Sequence, residues 1–291
     1  MRYLDAAAVR RALPMALAIS AMEEAFAGDH EVPVRIRLGP SLFMPGRVGS
    51  TTGIKVVSTV PGKPYGIVAV FDGDGRCIGL LDAPALTALR TGAAAGLGTR
   101  LLARPDARTL AMLGAGTMAP DLIRAVREVR SIEDVLIWSR DQGRASRLAV
   151  EIGGVVARTA DEAVHAADVV CTATPATTPL FEARSLQPGT HVNAMGAATP
   201  EMVEIPPGAL TRALVVVEDR AAAAAEAGDL LQAGIDPDGT LRDLLTGDLA
   251  GRAGHDDVTV FKSVGVASQD IAAAVAALDH AAAARIGTEI S

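Results

Sequence analysis

The apolar run Thr109-Leu-Ala-Met-Leu113 leads straight into Gly114-Ala-Gly116 and then into a helical pattern, and this strand, turn and helix order constrains the fold more than any other stretch. Gly114 permits a tight turn, Gly116 lets a phosphate approach the backbone, and Ala119 in the third small position allows the helix to lie close to the strand. A pyrophosphate would then rest on the helix N-terminus. A Gly-x-Gly alone is common in ordinary turns, so the surroundings decide. Leu122, Ile123, Val126 and Val129 follow at helical spacing, and Asp134-Val-Leu-Ile-Trp-Ser-Arg140 supplies an apolar run where the next parallel strand of a βαβ unit belongs.

Further apolar runs at 168–173, 190–195 and 213–218 extend the pattern, with helical stretches between them. They are apolar throughout instead of alternating, as strands are when helices cover both faces. The expected class is α/β, a Rossmann-type doubly wound parallel sheet. Residues 213–218 read as its last strand, with the Ala221–Ala225 run and Glu226-Ala-Gly-Asp-Leu-Leu231 as a helix and loop beyond it.

The N-terminal third reads differently. Asp5 caps a short helix that Pro14 interrupts, and Pro14 opens a second helix with Ile19, Met22 and Phe26 on one face. Val32-Pro-Val-Arg-Ile-Arg-Leu38 alternates apolar with basic residues, as a half-exposed strand does, with Arg35 and Arg37 on one side. That side is either a solvated edge or a carboxylate site. A Gly/Pro-rich loop is expected from Gly39 to Gly53, followed by the strand Gly53-Ile-Lys-Val-Val-Ser58, in which Lys55 needs a partner or must snorkel. Gly66–Phe71 and Cys77–Leu81 flank Asp72-Gly-Asp-Gly75, a hairpin signal, because such pairs supply positive φ angles. Read as a calcium loop, the same run lacks the third carboxylate and the distal Glu. Leu86–Leu102 is helical and carries Arg90-Thr91-Gly92 among small residues, and Arg104-Pro105-Asp106 makes a linker. Near the C-terminus Ser268 is expected to cap a helix with Ile271, Val275, Leu278 and Ile286 on one stripe, ending at Gly287.

Composition narrows the classes of function. Among 291 residues, 27 basic against 34 acidic side chains give a net charge of −7 without a basic cluster, so neither a nucleic-acid nor an acidic-membrane surface is expected. No apolar run reaches the ~18 residues of a membrane span and no signal-peptide order opens the chain, which points to the cytoplasm. Cys77 and Cys171 lack metal-ligand spacing and read as buried free thiols, so no metal is expected.

Arg35, Lys55 and Arg90 lie on three separate elements, each an isolated cation in an apolar or small-residue setting. Together they suit an α-carboxylate, while singly each also reads as a surface or snorkelling cation. The runs Arg90-Thr-Gly-Ala-Ala-Ala95, Leu113-Gly-Ala-Gly-Thr117, His191-Val-Asn-Ala-Met-Gly-Ala197, Ala227-Gly-Asp-Leu-Leu231 and Thr259-Val-Phe-Lys-Ser-Val-Gly265, in this order, resemble the ornithine cyclodeaminase and mu-crystallin family from about residue 3 to 290.

The resemblance implies a homodimer. Residues 1–106 and 267–291 would form a smaller α+β substrate and dimerisation domain, and residues 107–266 a dinucleotide-binding Rossmann domain inserted into it. It implies that Arg35, Lys55 and Arg90 are the substrate-carboxylate and catalytic cations, with Ala198 also at the substrate. Implied contacts to NAD(P) are Thr91, Gly114, Ala115, Gly116, Thr117, Met118, Ser139, Arg140, Thr172, Ala173, Thr174, Met195, Gly196 and Lys262. The cyclodeaminases carry an acid where this chain has Ala198 in Gly196-Ala-Ala198-Thr-Pro200, and without it deaminating cyclisation loses a general base. The implied activity is therefore reduction of α-imino acids, such as pyrroline-2-carboxylate or piperideine-2-carboxylate. An amino-acid dehydrogenase, an ornithine cyclodeaminase and a ligand-binding protein of the mu-crystallin kind are the alternatives. Cofactor choice turns on Trp138-Ser139-Arg140, where a hydroxyl and a guanidinium suit the 2′-phosphate of NADP(H), although Asp141 would favour NAD(H) if the strand ran further.

Overall fold

The sheet that carries the Gly-x-Gly turn is parallel throughout, because each of its main strands is followed by a chain crossing that returns to the same edge direction. The computed structural model describes residues 1–60, 62 and 65–290. It divides into two compact units, residues Ala95–Gly265 and residues Met1–Ala94 joined by the segment from Val266 onward.

The first unit contains β1 (Arg2–Leu4), α1 (Ala6–Ala12), α2 (Met15–Ala27), β2 (His30–Glu31), β3 (Ile36–Leu38), β4 (Ser41–Val48), β5 (Thr51–Ser58), β6 (Gly66–Phe71) and β7 (Cys77–Asp82). The helix α3 (Ala83–Leu102) begins in it and runs past the division at Ala94, since nothing breaks the pattern before Arg104-Pro105. The second unit adds β8 (Thr109–Leu113), α4 (Ala119–Val129), β9 (Asp134–Trp138), α5 (Gln142–Ile152), β10 (Val155–Val156), α6 (Ala160–His165), β11 (Val169–Thr172), β12 (His191–Ala194) and α7 (Pro207–Leu210). It continues with β13 (Ala213–Val217), α8 (Arg220–Glu226), α9 (Gly228–Ala233), β14 (Gly239–Thr240), α10 (Leu241–Thr246) and β15 (Val258–Lys262). The chain then returns to the first unit as α11 (Ala267–Ala284) and β16 (Thr288–Glu289).

In the second unit the strand order is β10-β9-β8-β11-β12-β15-β13-β14. The chain steps one way from β8 and then the other, so the order reverses between β8 and β11, where ligands bind in such sheets. The sequence reading stopped one central strand short. Val258–Lys262 inserts between β12 and β13, pairing with both, so residues 213–218 are not the last strand. Its buried lysine, which broke the apolar run in the sequence, is paired here.

The sheet of the first unit is an antiparallel meander of β4 to β7 joined by the parallel β1, with β3 beside β4. The hairpin at Asp72 forms as expected, with the Asp72 carboxylate accepting from the backbone of Asp74 and Arg76 and Gly75 at φ 77°. The expected loop at 39–53 is instead mostly β4. Gly39 and Gly49, at φ 57° and 56°, make turns at its two ends, and Pro45 sits inside the ladder opposite Ile54. Only Ile36–Leu38 of the expected 32–38 strand pairs, so Arg35 lies in the segment before it. Pro33, which has no N–H to donate, accounts for the late start. The last helix starts from Val266, not from a Ser268 cap, with Gln269 Oε1 accepting the Val266 N–H at 3.1 Å; it ends at Ala284, where Arg285 turns left-handed, before Gly287. Cys171 is buried, its thiol pushed up to about 12 by burial, whereas Cys77 is half-buried.

Glycines set how closely α11 lies on the sheet. Gly46 and Gly53 are opposite each other on β4 and β5. A Cβ on Gly46 would come within 2.9 Å of Ala267 Cβ, and one on Gly53 within 2.8 Å of the Ala69 carbonyl and 3.0 Å of Ile271 Cγ1. Side chains alternate along a strand, so Lys55 shares the α11 face with Gly53, while Val56 points the other way. On that opposite face Ile36, Phe43, Val56 and Ile67 form one cross-strand row. Gly53→Ala is expected to lower stability by about 1 to 3 kcal/mol, since the methyl meets backbone that cannot step aside. A urea titration checks it, with an unchanged midpoint counting against the close seating of α11.

Candidate functional site

Three buried charges meet in the first unit. Lys55 of β5, Arg90 of α3 and Asp270 of α11 are each at most 5% exposed. Asp270 Oδ2 lies 2.7 Å from Lys55 Nζ, and its Oδ1 accepts the Arg90 Nε–H at 3.1 Å. Gln269 Oε1 takes a second hydrogen bond from Arg90, at 2.6 Å from Nη1. The cross-strand neighbours of Lys55, Met44 and Val68, bring no polar side chain. Burial is the main force on the ammonium and lowers its pKa to about 8; Asp270 pulls it back up, while the charges of Arg90 and Arg35 push it down. Burial alone would raise the Asp270 carboxyl, yet the two cations beside it win, and it lies below the usual carboxylate range. The structure thus brings Arg90 and Lys55 to one carboxylate and puts Arg35, half-buried, within electrostatic reach of Lys55.

The second unit carries a cleft of about 340 Å³ at the reversal of strand order. Gly114, Ala115 and Gly116 line it after β8, Ser139 and Arg140 after β9, and Ala173 and Thr174 after β11. Gly114 has φ 114°, and a Cβ there would lie 2.9 Å from the Ala173 carbonyl, so this turn requires glycine. Nothing lies within 4 Å of where a Cβ on Gly116 would be, and α4 begins three residues later, with Ala119 fully buried. Open backbone at the start of an eleven-residue helix fits a dinucleotide's pyrophosphate. Asp141, three residues past the end of β9, also lines the cleft. It caps α5 by accepting the Arg144 N–H at 3.0 Å, and its carboxylate also lies 3.2 Å from Arg144 Nε. Arg144 lines the cleft beside Arg140.

The other expected positions are placed in different ways. Thr117 and Met118 form the turn into α4, and Thr91, in the first unit, is buried next to Arg90 on α3. Thr172, Met195 and Gly196 belong to a polar lattice behind the β11 and β12 ends. Glu204 Oε2 accepts from Thr172 Oγ1 at 2.7 Å and from the Gly196 N–H at 2.9 Å, and its Oε1 accepts from the Thr174 N–H at 2.6 Å. Burial raises the Glu204 pKa, with Lys262 and the threonine hydrogen bonds opposing it. Lys262 does not line the cleft; fully buried, it pairs with Asp229 at 2.9 Å and donates to the Gly196 carbonyl. Asp229 in turn accepts from the backbone of Glu204 and Ile205 at 2.6 and 2.9 Å. Ala198 follows on the same loop, half-buried, after Ala197 in a left-handed conformation at φ 50°.

The sequence reading missed Asp270, Gln269, Glu204 and Arg144. A carboxylate before the apolar run of α11, and another flanked by Val203 and Ile205, were the available signals, since such groups persist in buried faces only when paired. Arg144 gave none, being one of several arginines on a surface helix.

Fold and geometry together define a protein of the NAD-binding Rossmann type whose other unit holds a buried cluster of cations around one carboxylate. The chain belongs to the ornithine cyclodeaminase/mu-crystallin family, whose model matches residues 4–285. It is 39% identical over 260 residues to a Delta(1)-pyrroline-2-carboxylate reductase of Bacillus cereus (strain ATCC 10987 / NRS 248), covering 82% of this chain and 80% of the relative. It is 33% identical over 219 residues to the ketimine reductase mu-crystallin of Mus musculus, covering 75% and 69%. Among solved structures, the Delta(1)-pyrroline-2-carboxylate reductase of Thermococcus litoralis, in complex with NADH and L-proline, superposes over 100% of both chains with a TM-score of 0.93 at 28% identity.

Proposed function

We propose that the protein is an NAD(P)H-dependent reductase of α-imino acids, converting a cyclic ketimine such as pyrroline-2-carboxylate or piperideine-2-carboxylate, or a linear imino acid, to the L-amino acid. The buried cluster of Lys55, Arg90 and Asp270 carries this reading: an ammonium and a guanidinium share one carboxylate, Arg35 lies within electrostatic reach, and burial lowers the lysine pKa to about 8. A substrate carboxylate would be held by Arg35 and Arg90 through charge-assisted hydrogen bonds. The bound cofactor supplies a hydride to the C=N carbon. As that carbon is reduced, the C=N π pair moves to nitrogen, which takes a proton from Lys55 Nζ directly or through one water; the neutral amine is reprotonated by solvent. The names of the pyrroline-2-carboxylate and ketimine reductases among its relatives support the same chemistry. Cyclodeamination is disfavoured because Ala198 offers no base where the cyclodeaminases carry an acid.

We infer further that NADP(H) is preferred, because two guanidiniums, Arg140 and Arg144, line the cleft where the ribose of the adenosine end would lie, and the acid that lines it with them, Asp141, caps α5 and pairs with Arg144. We infer also that the protein works as a homodimer in the cytoplasm. The exposed Val34, Ile36, Leu38, Tyr65 and Ile67 leave an apolar sheet face that a second copy would cover.

Four measurements test these readings. Consumption of NADPH with a panel of cyclic and linear imino acids should be fast without added ammonia; turnover only from a keto acid plus ammonia would make it an amino-acid dehydrogenase instead. In the same assay Arg90→Gln should cost roughly 10²-fold in kcat/KM and leave the Kd for NADPH unchanged, whereas a weakened Kd would take Arg90 out of substrate binding. For cofactor choice, the wild type should favour NADPH, and Arg140→Ala should cut the NADPH to NADH ratio of kcat/KM by ~10-fold or more; a wild type that favours NADH refutes it. Ile36→Glu should turn a dimer into a monomer on light scattering, and a monomeric wild type would end the homodimer reading.

A further inference from the structure

Asp270 has no part in the steps above, yet it is the group around which the cations are arranged. It sits on the first turn of α11, its side chain 1% exposed, with one oxygen on Lys55 and the other on Arg90. Gln269, the preceding residue, takes Arg90 Nη1, so two of the three guanidinium nitrogens are held by adjacent residues of α11. We propose that Asp270 is a positioning residue: its two oxygens fix the Lys55 ammonium and the Arg90 guanidinium relative to each other, so that both cations meet the substrate together and Lys55 keeps the proton it gives. The proposal rests on the imine-reductase reading for its role in the reaction, but not for its effect on Lys55.

The electrostatics have a definite sign. Four influences act on the Lys55 ammonium: burial, Arg90 and Arg35 favour loss of the proton, and Asp270 alone opposes them. The strands beside it add little. β6 carries no titratable side chain, Arg47 of β4 is held by Asp29 and Glu31, and Asp82 at the end of β7 accepts from the Ala85 N–H at the start of α3. Neutralising Asp270 therefore makes Lys55 a weaker base, and neutralising Arg90 makes it a stronger one. A loss of packing, by contrast, would carry Lys55 upward toward the ordinary 10.5 in either variant.

The chain contains three lysines, Lys55, Lys63 and Lys262, so full-length protein labelled with carbon-13 at the lysine ε position gives three signals to follow with pH. Lys55 should titrate near 8 in the wild type, lower by roughly one unit or more in Asp270→Asn, and higher in Arg90→Gln. The alkaline limb of kcat/KM for imine reduction, above which Lys55 has lost its proton, should move down with the NMR midpoint in Asp270→Asn. An unmoved or rising Lys55 midpoint in Asp270→Asn overturns the proposal, and so does a falling midpoint with a stationary kinetic limb. Should Asp270→Asn fail to fold, the Arg90→Gln midpoint decides in protein whose melting temperature matches the wild type, because an unmoved or lower value there contradicts the charge balance on which the proposal stands. A wild type that reduces no imine removes the proposed function, while the NMR midpoints still show whether Asp270 governs Lys55.

Discussion

A carboxylate buried between an ammonium and a guanidinium has given up its hydration, and only the closeness of those partners compensates it. The first unit is organised by that requirement. Asp270 reaches Lys55 because α11 lies close to β5, and α11 lies close because Gly46 and Gly53 present no side chain where Ala267 and Ile271 approach. Arg90 arrives from α3, whose run of alanines and glycines around it lets the helix pack without bulky neighbours. Removing a glycine would thus disturb an ion pair two residues along the strand, a coupling that no single contact reveals.

The second unit solves a similar problem to a different end. Lys262 and Asp229 are also fully buried and paired, but Asp229 is further satisfied by two backbone N–H groups and Lys262 by the Gly196 carbonyl. Every charge there has a partner inside the protein, and the arrangement ties the loops after β12 and before α7 to the central strand β15. Glu204 does the same for β11 and β12 through the Thr172 hydroxyl and two backbone amides. These groups shape the cleft by fixing the loop ends, whereas in the first unit's cluster two cations, Lys55 and Arg90, share the one carboxylate of Asp270.

How much of this was legible in the sequence follows from what each signal depended on. The β8 turn was readable because glycine chemistry is local: Gly114 at φ 114° and the open Gly116 are properties of a few adjacent residues. Arg35, Lys55 and Arg90 stood out as cations in apolar settings, and their order along the chain matched a family pattern. Strand β15 was hidden because its pairing partners lie far away in sequence and its lysine interrupted the run. Residues 39–53 read as a loop because prolines and glycines usually mark turns, while here Pro45 and Gly46 sit inside the ladder and the helix above them demands a small residue. Asp270 belonged to the same class of long-range fact: one of two acids on an alanine-rich helix carries no meaning until Lys55 and Arg90 are placed against it.

The lysine is where these constraints meet the chemistry. An ammonium with a pKa near 8 is charged enough at neutral pH to bind a carboxylate and acidic enough to release a proton to a forming amine, a combination that neither an exposed lysine nor an arginine provides. In the proposed reaction Lys55 gives a proton and Ala198 offers no acceptor for a substrate amine, which is the balance that reduction of a C=N bond needs; the groups that set the state of Lys55 stand on β5, α3 and α11.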